Sequence, residues 1–422
     1  MRAMKDSGVA WLGMIPVSWD IKPIGSGFTE VKNKNINNFP LDPLQFRYGK
    51  IVKKEKVWSG EEAEDTYSAY NIVSPDMIMI NGLNLEFDFI TQRVALVTEE
   101  GIITSTYLAL KTSSNVYPSY ANYLLKAYDA CKVFHSLGRG LRKTLTFSEL
   151  KKQPMLFLDY EEQKRIVAFL DAKCAQIDAI IEKQQQVIEK LKAYKQSVIT
   201  EAVTKGLDLT VPMKDSGVEW IGMIPESWSI SKVKYVAIFN PACDEKIEPD
   251  RIVGYAPMDC IKNGVMMPQE IQYSSVSSGL TYFENDDVVM AKVTPCFENG
   301  NIAIASDLTN GCAFGSSELF VFRCHGIRTR FLFYYLQNDD FKQECISTMT
   351  GTGGLKRVSP SYVRNSYIPL PDEIIQDEII GYLDSMSASI NSAIAKKQTI
   401  IDKLTDYKKT LIYEAVTGKM EV

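Results

Sequence analysis

Residues 171–204 read DAKCAQIDAIIEKQQQVIEKLKAYKQSVITEAVT, and residues 384–417 read DSMSASINSAIAKKQTIIDKLTDYKKTLIYEAVT. The two segments align without a gap at a shift of 213. Neither contains Gly or Pro, and their apolar residues recur at alternating steps of three and four, which predicts long helices carrying a heptad seam. Setting Val167, Cys174, Ile181, Ile188 and Lys195 at one seam position puts Leu170, Ile177, Gln184, Leu191 and Val198 at the other. The second copy offers Ile380, Ser387, Ile394, Ile401 and Lys408 beside Leu383, Ile390, Lys397, Leu404 and Leu411. A helix of this length, about 65 Å at 1.5 Å per residue, needs a partner along its stripe. Two matched stripes in one chain predict an antiparallel two-helix coiled coil, with Ile181, Ile188, Leu191, Val198, Ile394, Ile401, Leu404 and Leu411 in the seam. The expected register sets Ile188 against Leu404, Leu191 against Ile401 and Val198 against Ile394. It also groups the polar exceptions, Gln184 with Lys408 and Lys195 with Lys397, which avoids placing them against aliphatic neighbours.

The repetition extends outward from the helices. MKDSGVAWLGMIPVSW at 4–19 returns as MKDSGVEWIGMIPESW at 213–228, STYLALK at 105 lies over SELFVFR at 317, and GLRK at 140 over GLKR at 354. The chain is thus motif, body and helix, written twice: bodies over 1–159 and 213–371, helices over 160–212 and 372–422. A period this long belongs to a duplicated half-molecule rather than to a solenoid. Trp11 and Trp19, with Trp220 and Trp228, are expected to be apolar anchors that dock each motif on a helix end. The first motif would then pack near the end of the second helix. DMIMI, QRVALV, STYLALK, DVVMAKV, NIAIA and ELFVFR read as strands, while SYANYLLKAY and TRFLFYYLQ have helical spacing. The fold class is α+β, with mixed α/β bodies.

Composition narrows the function. The net charge is −5; residues 1–159 carry 19 basic and 17 acidic side chains, and residues 213–371 carry 14 and 18. Neither body is a strongly basic nucleic-acid footprint, so a DNA-binding role requires local patches or partner subunits for phosphate affinity. No apolar run is long enough to span a membrane. Eight scattered cysteines without a CxxC pair, and no basic-then-apolar leader, point to reduced thiols in the cytoplasm. His135 and His325 are the two histidines, too few for a histidine metal site or a histidine-dependent triad.

Enzymatic motifs fail on inspection. FNPACD at 239–244 approaches the Asn-Pro-Pro-aromatic motif of amino-methyltransferases, yet Ala242 stands where the second proline belongs. No GxGxxG opens a helix after a strand. MTGTGGLKR at 349–357 lacks the GKS/T ending of a phosphate-binding loop. That loop and SLGRGLRK at 136–143 instead combine small residues with cations, so Arg139, Arg142, Lys143, Lys356 and Arg357 are candidate DNA contacts. The stretch from Lys32 to Trp58 mixes Lys, Arg, Asn and aromatics, which adds Lys32, Lys34 and Arg47.

Together these stretches resemble the specificity subunit of type I restriction–modification enzymes. DDVVMAKVTPCFENGNIAIA, GSSELFVF and GTGGLKRVS are similar to recurring parts of that family's recognition domain. YEEQKRIVAFLD and IPLPDEIIQDEIIGYLD are similar to the entry into its long helices. The resemblance implies a non-catalytic chain with two target recognition domains separated by the coiled coil, reading a bipartite asymmetric target on double-stranded DNA. The bland alternatives are a fused adenine methyltransferase and a coiled-coil adaptor without DNA binding. The resemblance also implies two modification subunits, which hold S-adenosylmethionine, and restriction subunits; no cofactor is expected on this chain. Lys292, Thr294 and Asn299 fall in its recognition stretch. In the first half NGLNLEFDF stands in that place and supplies Asn81 and Asn84.

Overall fold

The computed structural model describes residues 2–47, 49–55, 60–138, 143–243, 246–262, 264–352 and 354–422. The chain divides into two compact units, Met1–Gln184 with Thr399–Val422, and Gln185–Gln398.

In the first unit, strand Met4–Asp6 pairs antiparallel with Met14–Pro16, placing Lys5 opposite Ile15. Asp20–Pro23 then pairs with Pro154–Phe157, so the last strand of the body returns beside its start. Between them lies a four-stranded antiparallel sheet in the order Phe28–Glu30, Leu108–Thr112, Ile78–Ile80, Val94–Leu96. Helix Pro118–Ala130 begins with Pro118 in its first turn, where a missing N–H costs nothing. Its Tyr120, Leu124, Leu125 and Tyr128 join Phe28, Ile78, Ile80 and Leu110 in the main core.

The second unit opens with the same hairpin register, Lys214 opposite Ile224. Ser229–Lys232 pairs with Tyr367–Leu370. Its first four-stranded sheet runs Ala237–Phe239, Leu319–Cys324, Val288–Ala291, Ile302–Ile304. A second sheet runs Gln269–Gln272, Ile252–Ala256, Cys312–Gly315, Thr281–Glu284, and pairs Ile252–Ala256 parallel to Cys312–Gly315. The fold is α+β, and each strand and helix expected from apolar patterning is present.

Two long helices, Tyr160–Lys205 and Glu373–Val416, contribute to both units. Burial along them follows the heptad: Leu170, Cys174, Ile177 and Ile188 are buried on the first, and Leu383, Ile390 and Leu411 on the second. Ile181, Leu191, Val198, Ile394, Ile401 and Leu404 are half-buried. Inside the first unit, Cys174, Ile177 and Ile181 share a core with Leu404, Leu411 and Val416, and Lys408 Nζ lies 2.6 Å from Asp178. The two segments run antiparallel, as a coiled coil requires.

The expected register needs correction. Lys408 faces Asp178 rather than Gln184, and in the second unit Lys195 Nζ donates to Asn391 Oδ1 at 3.2 Å rather than lying against Lys397. Both partners sit six positions before those expected, close to one heptad. The physical reason is that Lys408 gains a carboxylate in place of an amide. The cost falls on Gln184, whose Oε1 is buried without a hydrogen-bond partner. Matching polar with polar positions underestimated what an acidic residue just outside the stripe can offer.

Each unit ties its body to its helix with a buried glutamine. Gln163 Oε1 accepts from Tyr117 N at 2.8 Å, and its Nε2 donates to Leu158 O at 3.0 Å. Gln376 Oε1 accepts from Arg328 N at 2.8 Å and its Nε2 donates to Pro371 O at 2.9 Å. Tyr117 and Arg328 cap the starts of helices Pro118–Ala130 and Thr329–Tyr335, so the glutamine satisfies an amide that a helix N-terminus leaves open.

Candidate nucleic-acid interface

In the second unit, five candidate residues come from one loop cluster. Thr294 Oγ1 donates to Gly354 O and accepts from Lys356 N, each at 2.9 Å, and Thr294 N donates to Lys356 O at 2.9 Å. Arg357 N donates to Thr350 O at 2.8 Å, and Val358 N to Lys292 O at 2.9 Å. Asn299 N donates to Pro295 O at 2.9 Å, closing the turn that follows Thr294. Lys292, Thr294, Lys356 and Arg357 are therefore stitched together by backbone, with Asn299 one turn away. Lys292 Nζ lies 5.7 Å over the Phe320 ring. Arg357 binds Glu318 through Nε and Nη2 at 2.7–3.0 Å, and this cation holds the Glu318 carboxyl below its ordinary range.

In the first unit, NGLNLEFDF folds around Arg93, which is 2% exposed. Its Nη1 donates to the carbonyls of Asn81 and Leu83 at 3.1 and 2.7 Å, and its Nη2 to those of Asn84 and Asp88 at 3.3 and 2.7 Å. Four carbonyls converge on one guanidinium, whose fork of donors suits such a bay; the Asn84 carbonyl also accepts from Phe87 N at 3.2 Å, and that of Asp88 lies 3.0 Å from His135 Nε2. Asp129 Oδ2 accepts from Arg93 N at 2.8 Å and from Gln92 Nε2 at 2.7 Å, and burial pushes its carboxyl above the usual range. Asn81 Oδ1 accepts from Leu83 N, and Asn84 takes a left-handed φ of 52°, so both asparagines shape this turn. Lys143 joins it, accepting from Leu85 N through its carbonyl at 3.2 Å and pairing with Glu86 at 3.2 Å. Phe87 and Ile90 protrude at 76% and 96% exposure.

Lys32 is paired with Glu30 at 3.0 Å, Lys34 bridges Asn71 through its backbone, and Arg47 sits on the hairpin Leu44–Arg47/Lys50–Lys53 bonded to Glu55 at 2.9 Å. Arg139 and Arg142 lie outside the described residues. Sequence reasoning missed Arg93 and Glu318. The one signal for Arg93 was a cation directly before the apolar run VALV, where a largely buried strand begins.

The tryptophans sit at the hairpins. Trp19 is buried with Leu12, Ile15, Ala415 and Val416, and its Nε1 donates to Glu162 Oε2 at 3.2 Å. The Trp11 carbonyl accepts from Tyr413 Oη at 2.7 Å, and its ring meets Tyr128 edge-on at 4.4 Å. Trp228 is buried with Ile199, Ala202 and Val203, while Trp220 lies 6.3 Å from Phe341. Each ring of the buried pair covers a left-handed glycine at a helix end, Gly418 under Trp19 and Gly206 under Trp228.

Asn240 of FNPACD spends both backbone and side chain on Val321: Asn240 N donates to Val321 O at 2.8 Å, and Val321 N donates to Asn240 Oδ1 at 2.9 Å. Among the described residues no group of three His, Cys, Asp or Glu could hold a metal. A cavity of about 930 Å³ in the second unit is rimmed by Lys192, Lys195, Arg330 and Lys342. Each already has a partner, Glu189, Asn391, Asp384 and Asp339 respectively. Among the described residues no helix is long and apolar enough to cross a membrane.

The curated homologues of this chain are type I restriction enzyme specificity subunits. The EcoAI specificity subunit of Escherichia coli is 29% identical over 194 residues, 45% of this chain and 33% of that protein, so the match spans about a third of its length. The MjaVIII specificity subunit of Methanocaldococcus jannaschii is 23% identical over 437 residues, covering 97% of this chain and 94% of that one. A solved structure from work on complex assembly and conformational transition of the type I R-M system shares the fold with a TM-score of 0.69. It is 13% identical, over 96% of this chain and 99% of that one. No protein-family model matches the chain.

Proposed function

We propose that this chain is the non-catalytic subunit that selects the DNA target of a type I restriction–modification complex. Two tandem recognition domains, residues 1–159 and 213–371, each read one half of a bipartite, asymmetric target. The helices of 160–212 and 372–422 act as the ruler that sets the spacer, in an internal repeat with approximate two-fold character. The chain scaffolds two modification subunits, which hold S-adenosylmethionine and methylate adenine, and joins restriction subunits in the cytoplasm.

The observation that carries this reading is likeness along nearly the whole chain to the M. jannaschii specificity subunit, 97% of this chain against 94% of that one. Supporting it, both bodies place Asn, Lys and Arg on loops shaped by buried or backbone-bound partners, the preorganisation that base reading needs. Lys32, Lys34, Arg47, Arg139, Arg142 and Lys143 would contact the first half-site along with Asn81 and Asn84. Lys292, Thr294, Asn299, Lys356 and Arg357 would serve the second. Near-neutral bodies suit a subunit that specifies sequence while its partners add phosphate contacts.

Methylome sequencing of a host expressing the complete system tests this, and should find methylated adenines in a two-part motif. Inserting four residues at Glu201 adds about 6 Å of helix, the rise of roughly two base pairs. The spacer should lengthen by one or two pairs. A motif whose spacer ignores the insertion would refute the ruler, and methylation without the chain would refute the assignment.

A further inference from the structure

We infer that Glu318 is a positioning residue for base reading, holding Arg357 so that the free edge of its guanidinium selects a guanine in the second half-site. The inference rests on the proposed role of the chain in choosing a DNA target.

A guanidinium has five N–H groups arranged in two usable edges. Glu318 occupies one of them: Nε donates to Oε1 at 3.0 Å and to Oε2 at 2.9 Å, and Nη2 donates to Oε1 at 2.7 Å. The edge formed by Nη1 and the second N–H of Nη2 is left facing away from the carboxylate. Two parallel donors match the O6 and N7 acceptors that guanine shows in the major groove. Adenine offers an acceptor beside a donor there, and cytosine and thymine offer no acceptor pair, so the same edge rejects them.

Both partners are fixed from behind. Arg357 N donates to Thr350 O at 2.8 Å, Thr350 N donates back to Arg357 O at 3.1 Å, and Arg357 bridges Val293 on its other side. Glu318 is pinned where Lys292 N donates to its carbonyl at 3.0 Å and its own N donates to Ser316 Oγ at 3.2 Å. Thr294 clamps the preceding turn through Gly354 and Lys356. The Arg357 side chain is 46% exposed against 27% for Glu318, so the cation reaches outward with the carboxylate behind it. An exposed pair contributes little to stability. What it supplies is order: the guanidinium is already in one rotamer before DNA arrives, which lowers the entropy lost on binding. Glu318 is ionised at neutral pH, and Arg357, with Lys292, holds its carboxyl below the ordinary range.

The test uses the complete complex carrying Arg357→Ala, Arg357→Lys, Glu318→Gln or the wild-type chain. Methylation rates are measured on duplexes in which each base pair of the second half-site is varied singly. Arg357→Ala should lose discrimination at one G·C pair by about 5- to 150-fold and leave the other positions intact. Glu318→Gln should relax the same pair by a smaller factor, with no more than the small change in melting temperature that loss of an exposed ion pair brings. Arg357→Lys should fail to restore it, since an ammonium has no fork. A purely structural role for Glu318 would instead weaken every sequence and lower the melting point. Equal loss on all duplexes, the mark of a phosphate contact, would overturn the inference, as would relaxation at different pairs by the two variants. Failure of the underlying reading looks different: the motif methylated by the wild-type complex would not depend on this chain.

Discussion

The two units solve one problem, holding a polar loop still, with different materials. The first surrounds the buried Arg93 guanidinium with four carbonyls of its own loop. The second uses the Thr294 hydroxyl and an exposed Arg357–Glu318 pair. In the first, the group that shapes the loop is itself buried, so loop shape and folding are inseparable. In the second, Thr294 is buried but the Arg357–Glu318 pair reaches solvent, so part of what shapes the loop lies outside the core. The two bodies thus differ in how closely loop and core are tied.

Arg93→Met should break this contrast most visibly. Keeping the stem while removing the charge leaves the Asn81 and Leu83 carbonyls without this donor, while those of Asn84 and Asp88 keep Phe87 N and His135 Nε2, and each group left unsatisfied costs about 1–3 kcal/mol. Denaturant unfolding, with hydrogen exchange assigned to residues 81–96, should show the whole first unit weakened. A cost under about 1 kcal/mol, the surface range, would remove the distinction between the units.

The helix ends sharpen the comparison. A Cβ on Gly418 would sit 2.4 Å from Pro16 Cγ and 3.0 Å from Trp19, whereas one on Gly206 would meet Trp228 at 3.1 Å. Both glycines have positive φ, +71° and +79°, which itself costs a substituted residue about 1–2 kcal/mol. Gly418→Ala should therefore add overpacking of roughly 1–3 kcal/mol to that strain, and Gly206→Ala less. Melting curves of the two variants that coincide would show that the N-terminal hairpin yields as easily as its counterpart.

The smallest effect is one of sign. Burial holds Asp129 above its ordinary 3.8, so the folded first unit binds that proton more tightly and loses stability as pH rises from 3.8 through the folded value. Arg357 holds Glu318 below its ordinary 4.5; its contribution is present above 4.5 and is lost as pH falls through the lower folded value. Urea midpoints between pH 3 and 7 should flatten in opposite directions in Asp129→Asn and Glu318→Gln. Slopes of the same sign would contradict the assignment of burial to one carboxylate and pairing to the other.

Much of this was legible from residues alone. Heptad spacing located both long helices, and apolar runs such as DMIMI and ELFVFR marked strands, because burial on one face or both imposes a period that sequence carries directly. Register was not legible: Asp178 lies beside the stripe, and no periodicity says that Lys408 will prefer it. Nor was the role of Arg93, since its partners are backbone carbonyls, which every residue possesses and no letter advertises. Glu318 and Arg357 meet only because strand Leu319–Cys324 and the loop before Pro360 converge on Lys292, 39 positions being no obstacle in space. Gln163 and Gln376 were within reach, being matched letters in matched helices.

The first unit consists of Met1–Gln184 and Thr399–Val422, while the second is one uninterrupted run, Gln185–Gln398. During synthesis the second unit is complete before the residues that close the first have been made. At about 5–20 residues per second, the hairpin holding Trp19 waits roughly 10–40 s between the emergence of Gln184 and of Thr399. Through that interval Leu12, Ile15 and Trp19 lack Ala415 and Val416, and the apolar surface they share in the finished core stays open to solvent or to a chaperone. The earlier-made half of the protein is therefore the later to mature.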